Sequence, residues 1–260
     1  VDKPQRQELF GMNYSFDFSF VDTYWPSLLH GLWVSAEISI ISLVGGFVLG
    51  VGLAVARSQG SPLARRLAGG FVDLTRNTPL VVQTFWLFFG LSALGFLVPA
   101  IYAAVVALAI NTSGYTCEIV RAGIDAVHYG QKEAASCLGL SRAQVMRHVV
   151  LPQAVEKMYP SLISQFVLVM LASSIMSQIS VEELTAVGLQ IQSRTFRGFE
   201  VYLVIAAIYL VMSWLLRVVM TSCYNVAFPK QRHIAKALSS VRGRVRAGGA
   251  ADAAASEVKS

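Results

Sequence analysis

The run Asn77-Thr-Pro-Leu-Val-Val-Gln-Thr-Phe-Trp-Leu-Phe-Phe-Gly-Leu-Ser-Ala-Leu-Gly95-Phe-Leu-Val-Pro99-Ala-Ile-Tyr-Ala-Ala-Val-Val-Ala-Leu-Ala-Ile-Asn111-Thr-Ser-Gly-Tyr-Thr-Cys117 is 41 residues long and holds neither a charge nor a histidine. As one helix it would extend about 60 Å, roughly twice the hydrocarbon thickness of a bilayer. The run therefore reads as two membrane crossings. Gly95 and Pro99 mark the turn between them, because proline disfavours helix at the residue before it.

Three further apolar runs flank this pair. Ile38 to Ala56 follows Glu37, and its helix is expected to begin upstream, near Leu28 or Trp33. Met158 to Val181 forms a fourth crossing. A fifth starts after Glu200 and passes Arg217, whose guanidinium can snorkel to the headgroups. Composition agrees with lipid as the solvent. The chain of 260 residues is 55% hydrophobic and 14% charged, with a formal charge of +6, whereas soluble domains carry about 25% charged residues. The positive charge does not indicate nucleic acid, since the basic residues fall between apolar runs and in the tail.

Their distribution sets the orientation. Arg57, Arg65, Arg66 and Arg76 follow the first crossing, and five more Lys or Arg lie between Glu118 and Lys157. Eight stand from Arg217 onward. These 17 share one side, while Lys3, Arg6, Arg194 and Arg197 make 4 on the other. Positive loops stay cytoplasmic, so the N-terminus is placed outside and the C-terminus inside. The expected fold is an all-α membrane protein with five transmembrane helices. Residues 1–27 form an external segment, 28–229 the transmembrane domain, and 230–260 a cytoplasmic tail, expected to be disordered from Ser239 on its Ala, Gly, Ser and Arg content. Val1 to Phe20 lacks the apolar core and cleavage site of a signal peptide. Phe16, Phe18, Phe20, Tyr24 and Trp25 suggest an amphipathic helix over Phe16 to His30, lying in the external interface.

The segment between the third and fourth crossings, with a loop at about 128–153, is longer than a connection needs. Glu133 to Leu138 favours helix, Gly139 can close it in a left-handed conformation, and Ser141 can cap a second helix. Pro152 is expected to end or kink that second helix. Small Ala134, Ala135 and Ser136 would allow close approach of another surface, and Glu133 offers it a charge.

Here the chain resembles a known family. Glu133-Ala134-Ala135, then Gly139 and Leu151-Pro152, is similar to the EAA loop of binding-protein-dependent ABC importer permeases. The resemblance runs from about Leu28 to Pro229. It includes Gly31-Leu-Trp-Val-Ser-Ala-Glu37, Arg76-Asn-Thr-Pro79 with Gln83, Glu118-Ile-Val-Arg121-Ala-Gly123-Ile124, Glu183-Leu-Thr and Ser193-Arg194-Thr-Phe196, as in the polar-amino-acid branch. It implies that Glu133, Ala134, Ala135, Gly139 and Pro152 form a coupling helix that docks on an ATP-binding-cassette ATPase. The implied partners are that ATPase, which carries ATP and magnesium, a second permease copy or a related permease, an external solute-binding protein and an amino-acid substrate. The implied location is the bacterial inner membrane. Where many members carry Lys-Asp-Thr-Ser, this chain reads Leu171-Ala172-Ser173-Ser174, so Ala172 replaces the acidic residue.

Polar residues within the crossings are candidates for lining a substrate path: Gln83, Asn111, Ser113, Ser173 and Ser174. Without a carboxylate at mid-depth, a neutral or acidic amino acid such as glutamine or glutamate is expected, because a buried cation needs a counter-ion. Gly46 and Gly50 fit the helix-packing pattern of small residues four apart, which reads either as a seam between copies or as a chance spacing in glycine-rich spans. Cys117, Cys137 and Cys223 form no metal or disulfide pattern and read as buried structural thiols. The scattered histidines His30, His128, His148 and His233 suggest no catalytic or metal site. The sequence has no Gly-x-x-x-x-Gly-Lys-Ser/Thr phosphate loop, so ATP hydrolysis falls to a partner and no cofactor is expected in this chain. The competing readings are a self-sufficient carrier or channel, and an intramembrane serine protease, which would need a nucleophile and base facing a wet cavity.

Overall fold

The structure, a computed structural model, describes residues 15–228. The first fourteen residues and the tail expected at 230–260 lie outside the described residues. Eight helices follow one another among the described residues: α1 Phe20–Gln59, α2 Pro62–Asn77, α3 Leu80–Ala93, α4 Ala100–Asp125, α5 Tyr129–Cys137, α6 Arg142–Ile179, α7 Leu184–Thr195 and α8 Gly198–Ala227. No strand occurs among the described residues. Four helices, α1, α4, α6 and α8, are long and apolar enough to cross a membrane. The apolar α3 is shorter, and its 14 residues extend only about 21 Å at the helical rise.

Each crossing helix is longer than the apolar pattern indicates. The aromatic segment does not form an interfacial helix of its own. Helix α1 runs unbroken from Phe20, because Phe20 and Leu28 are buried against Leu184, Val187, Val201 and Ile205 of α7 and α8. Pro26 is tolerated in the second turn, where the carbonyl of Asp22 alone loses an amide partner. Helix α6 likewise passes through Pro152. The turn before it widens to π geometry over Met146–Val150, which accommodates the missing amide and the ring without ending the helix.

Helix α4 lies at the centre, packed against α1, α2, α3 and α6. One core joins Ile38 and Leu43 of α1, Ala104 and Leu108 of α4, and Val169 and Met176 of α6. A second joins α1, α7 and α8. Helix α8 buries only 11% of its most apolar stretch, leaving a broad face for lipid.

The α1–α4 seam depends on two glycines. A Cβ on Gly46 would lie 2.6 Å from Cβ of Thr112 and 2.8 Å from the Ala109 carbonyl oxygen. On Gly50 it would lie 2.6 Å from Cβ of Thr116 and 2.7 Å from the Ser113 oxygen. The pair therefore serves a seam inside the chain. Gly50→Ala is expected to cost about 1–3 kcal/mol by overpacking, and Gly46→Ala a similar amount. Thermal unfolding in detergent checks this. An unchanged midpoint for both variants would count against the seam.

The cysteines divide. Cys117 is buried in the α1–α4 region, whereas Cys137 and Cys223 are exposed, correcting the expectation that all three are core thiols. Cys137 is on the last turn of α5, a short helix with one buried face. Cys223 is on the little-buried α8.

Candidate functional site

The loop that carries the docking motif folds as α5, a turn and the start of α6. His128 caps α5, its ring accepting from the amide of Gly130. Gly139 has φ +81°, a conformation that side chains rarely adopt. Ser141 and Gln144 then form a reciprocal capping box at the start of α6. Ala135 is not part of the outward face. It is buried against Val127, Val145, Val150 and Ala154 and fixes α5 to α6. Glu133, Ala134, Ser136 and Leu138 are exposed, and Leu138 is 83% exposed. Pro152 is exposed on α6. The element thus presents a carboxylate and small or apolar groups outward while its inner face is locked by packing.

A cavity of about 520 Å³ opens between α3, α4 and α6. Asn111 and Ala172 line it, joined by Arg76, Tyr115 and Gln165. The Arg76 guanidinium sits 5.5 Å from the centre of the Tyr115 ring, over its face, a cation–π arrangement that holds the charge in place. No carboxylate lines this cavity. The cavity can accept an anionic group at Arg76 and hydrogen-bond a polar one at Asn111 and Gln165.

The other candidate residues lie elsewhere. Ser113 and Ser173 are buried, their hydroxyls donating to the carbonyls of Ile110 and Met170, both at 2.6 Å. Ser174 is half-buried, and its hydroxyl donates to the Leu171 carbonyl. Gln83 binds the corner before α3. Its amide nitrogen donates to the Thr75 carbonyl at 2.7 Å and the Thr78 carbonyl at 2.8 Å, and its buried Oε1 has no hydrogen-bond partner. Serine inside a helix can satisfy itself on the preceding turn, which a list of polar residues does not reveal. Tyr115 and Gln165 had a signal, since Asn111 and Tyr115 are four apart on one helix face and Gln165 lies seven before Ala172.

One carboxylate, which the sequence reading named only as part of the Glu183-Leu-Thr match, is buried. Glu183, in the segment between α6 and α8, is fully buried. It caps α7 by accepting from the Ala186 amide at 2.9 Å, and it accepts from the Tyr209 hydroxyl at 2.6 Å and Ser35 Oγ at 3.2 Å. Burial pushes its carboxyl above the usual range, while the Tyr209 hydroxyl, backbone amides and Ser35 pull the other way. The group ties α1, α7 and α8 together. No group of three or more His, Cys, Asp or Glu side chains placed to hold a metal occurs among the described residues.

A bundle of apolar helices around a largely apolar cavity with Arg76, Asn111 and Gln165 in its lining, and an outward-facing helix packed on the base of a cavity wall, has the form of a membrane transport subunit. The chain belongs to the family of binding-protein-dependent transport system inner membrane components, whose sequence profile matches residues 46–233. It is 34% identical over 203 residues to the glutamine transport system permease protein GlnP of Escherichia coli (strain K12), covering 77% of this chain and 93% of that one. It is 32% identical over 199 residues to the arginine transport system permease protein ArtQ of Bacillus subtilis (strain 168), covering 76% and 91%. A solved amino acid ABC transporter with histidines superposes with a TM-score of 0.77 at 36% identity, covering 82% of this chain and 99% of that one. The MetNI methionine ABC transporter in an inward-facing conformation shares the fold, with a TM-score of 0.66 at 19% identity over 79% of this chain and 98% of that one.

Proposed function

We propose that this chain is the permease subunit of an ATP-driven amino-acid importer in the bacterial inner membrane, working by alternating access. The observation that carries this reading is the continuity of α6. One helix runs from Arg142 beside the docking element to Ala172 in the cavity wall, and α5 is locked to its base through Ala135, Val145, Val150 and Ala154. A partner that moves α5 moves a wall of the cavity. Glu133, Ala134, Gly139 and Leu138, with the exposed Pro152 of α6, form the surface for an ATPase that holds ATP and magnesium, while Ala135 holds α5 to α6 from behind. A second permease, identical or related, completes the path, and an external solute-binding protein delivers substrate. The cavity takes an amino acid with a neutral or acidic side chain, its carboxylate directed to Arg76. The test is uptake in reconstituted vesicles. Import requires both ATP and the co-reconstituted ATPase, and import by this chain alone would favour a self-sufficient carrier.

The same reading has five crossings, with α3 as the short second one, an external N-terminus and a cytoplasmic C-terminus. The 17-to-4 division of Lys and Arg supports it. Topology reporters fused at Gly95, in the α3–α4 turn, and at Gln190, in α7, are expected to read as external. A cytoplasmic signal at either position refutes this topology.

A further inference from the structure

Below the Asn111 cavity lies a second one of about 360 Å³, lined by Glu118 and Ala122 of α4, by Ala126 that caps it, and by Lys157, Met158 and Ser161 of α6, among others. The two cavities share helix faces. On α4 and its cap the lining passes from Leu108, Asn111 and Tyr115 to Glu118, Ala122 and Ala126, in steps of three or four residues. On α6 it passes from Ala172, Leu168 and Gln165 to Ser161 and Lys157 in the same steps. Residues so spaced lie along one stripe of a helix, so the cavities are successive stretches of one groove between α4 and α6.

Charge along this groove is uneven. Glu118 is engaged by Arg57 and by Arg121, and Arg121 also pairs with Asp125. The Lys157 ammonium donates to the Ala126 carbonyl at the C-terminal end of α4 and has no carboxylate partner among the described residues. Arg76 stands at the upper stretch and Lys157 at the lower, each with a cation available to an anion.

We infer that this groove is the inner leg of the substrate path, and that Lys157 receives the carboxylate of the travelling amino acid at its cytoplasmic end, after Arg76 has released it. This rests on the importer reading above. Two cations along one groove provide a hand-over, since an anion leaving the first is not left without a counter-charge in a low-dielectric setting. Ser161 and Gln165 supply hydrogen bonds between them.

The experiment uses the full transporter, reconstituted with its ATPase and binding protein, and radiolabelled L-glutamine. Ala122→Trp fills the lower stretch and Asn111→Trp the upper one, and each is expected to lower uptake at least about ten-fold. Lys157→Gln is expected to lower the maximal rate about ten-fold, the scale of one charge-assisted hydrogen bond, with the external KM unchanged. Lys157→Arg is expected to keep at least about half the rate. Lys157 also braces the end of α4, so a readout independent of folding is added. In a Cys137→Ser, Cys223→Ser background, Ser161→Cys is labelled from the cytoplasmic face with a charged methanethiosulfonate reagent. Saturating L-glutamine is expected to slow that labelling about five-fold or more. If Asn111→Trp blocks uptake while Ala122→Trp and Lys157→Gln do not, the inner leg is refuted and the importer cavity stands. If Asn111→Trp is also harmless, the cavity assignment itself falls. Labelling indifferent to glutamine overturns the route past Ser161.

Discussion

Glu133→Lys and Gly139→Asp are each expected to reduce ATP-dependent uptake to background while leaving the chain inserted in the membrane. The two changes act through different physics. Glu133 is exposed on α5, so its replacement leaves the internal packing alone and reverses the one acidic charge on the docking face. A partner surface that presents a cation there is repelled instead of attracted, and a like-charge contact costs several kcal/mol across an interface. Gly139 has open space around its Cα, with nothing within 4 Å of a Cβ. Its constraint is the backbone, at φ +81°, where a side chain costs roughly 1–2 kcal/mol. Aspartate there strains the turn between α5 and α6 and adds a charge to the contact. The check is paired measurement of ATPase recruitment to membranes and of uptake, with insertion confirmed by protein level. Normal recruitment and uptake in both variants would sink the docking role.

The helix, turn and second helix over Tyr129 to Gln144 were largely legible in the sequence because their signals are local. A helix-favouring run, a glycine stop and a serine cap occupy adjacent positions, and each acts through its own backbone. The existence of α4, α6 and α8 was legible for a similar reason, since length and apolarity alone require a membrane. Their ends were not. The apolar count stops where polar residues begin, yet α1 extends to Phe20 because that turn packs on α7 and α8, a contact between residues more than 150 positions apart. The π turn at Met146–Val150 was hidden likewise, since a proline reads as a break unless the neighbouring turn can widen. The cavity was half legible. Asn111 and Ala172 were singled out and do meet. Ser113 was singled out on polarity, and Ser173 and Gln83 on polarity together with their place in the family match, yet all three satisfy backbone carbonyls. Which polar groups face the cavity depends on helix rotation, and the seam at Gly46 and Gly50 shows how that rotation is fixed. It turns Thr112 and Thr116 toward α1, and Asn111 and Tyr115 toward the opening.

Ala172→Asp is expected to reverse the charge preference of the transporter. Ala172 shares its cavity with Arg76, Asn111 and Gln165, and no carboxylate lines that space in the native chain. Arg76 is therefore a cation without a local counter-charge, suited to a carboxylate and hostile to an ammonium or guanidinium side chain. An aspartate at 172 cancels much of the positive field and gives a cationic side chain a counter-ion. At an effective dielectric near 20, a unit charge at about 4 Å is worth ~4 kcal/mol. Rearrangement and residual water will absorb a large share, so a shift of at least about ten-fold, or ~1.4 kcal/mol, is expected. Glutamate should lose more than glutamine, because its side-chain carboxylate meets the new one directly. Arginine, a weak competitor against the native transporter, should become an effective one. Competition against labelled glutamine uptake measures all three, with the same binding protein present throughout so that its selectivity cancels. A native transporter for which arginine competes best, or a variant whose order of competitors is unchanged, would show that this cavity does not read substrate charge.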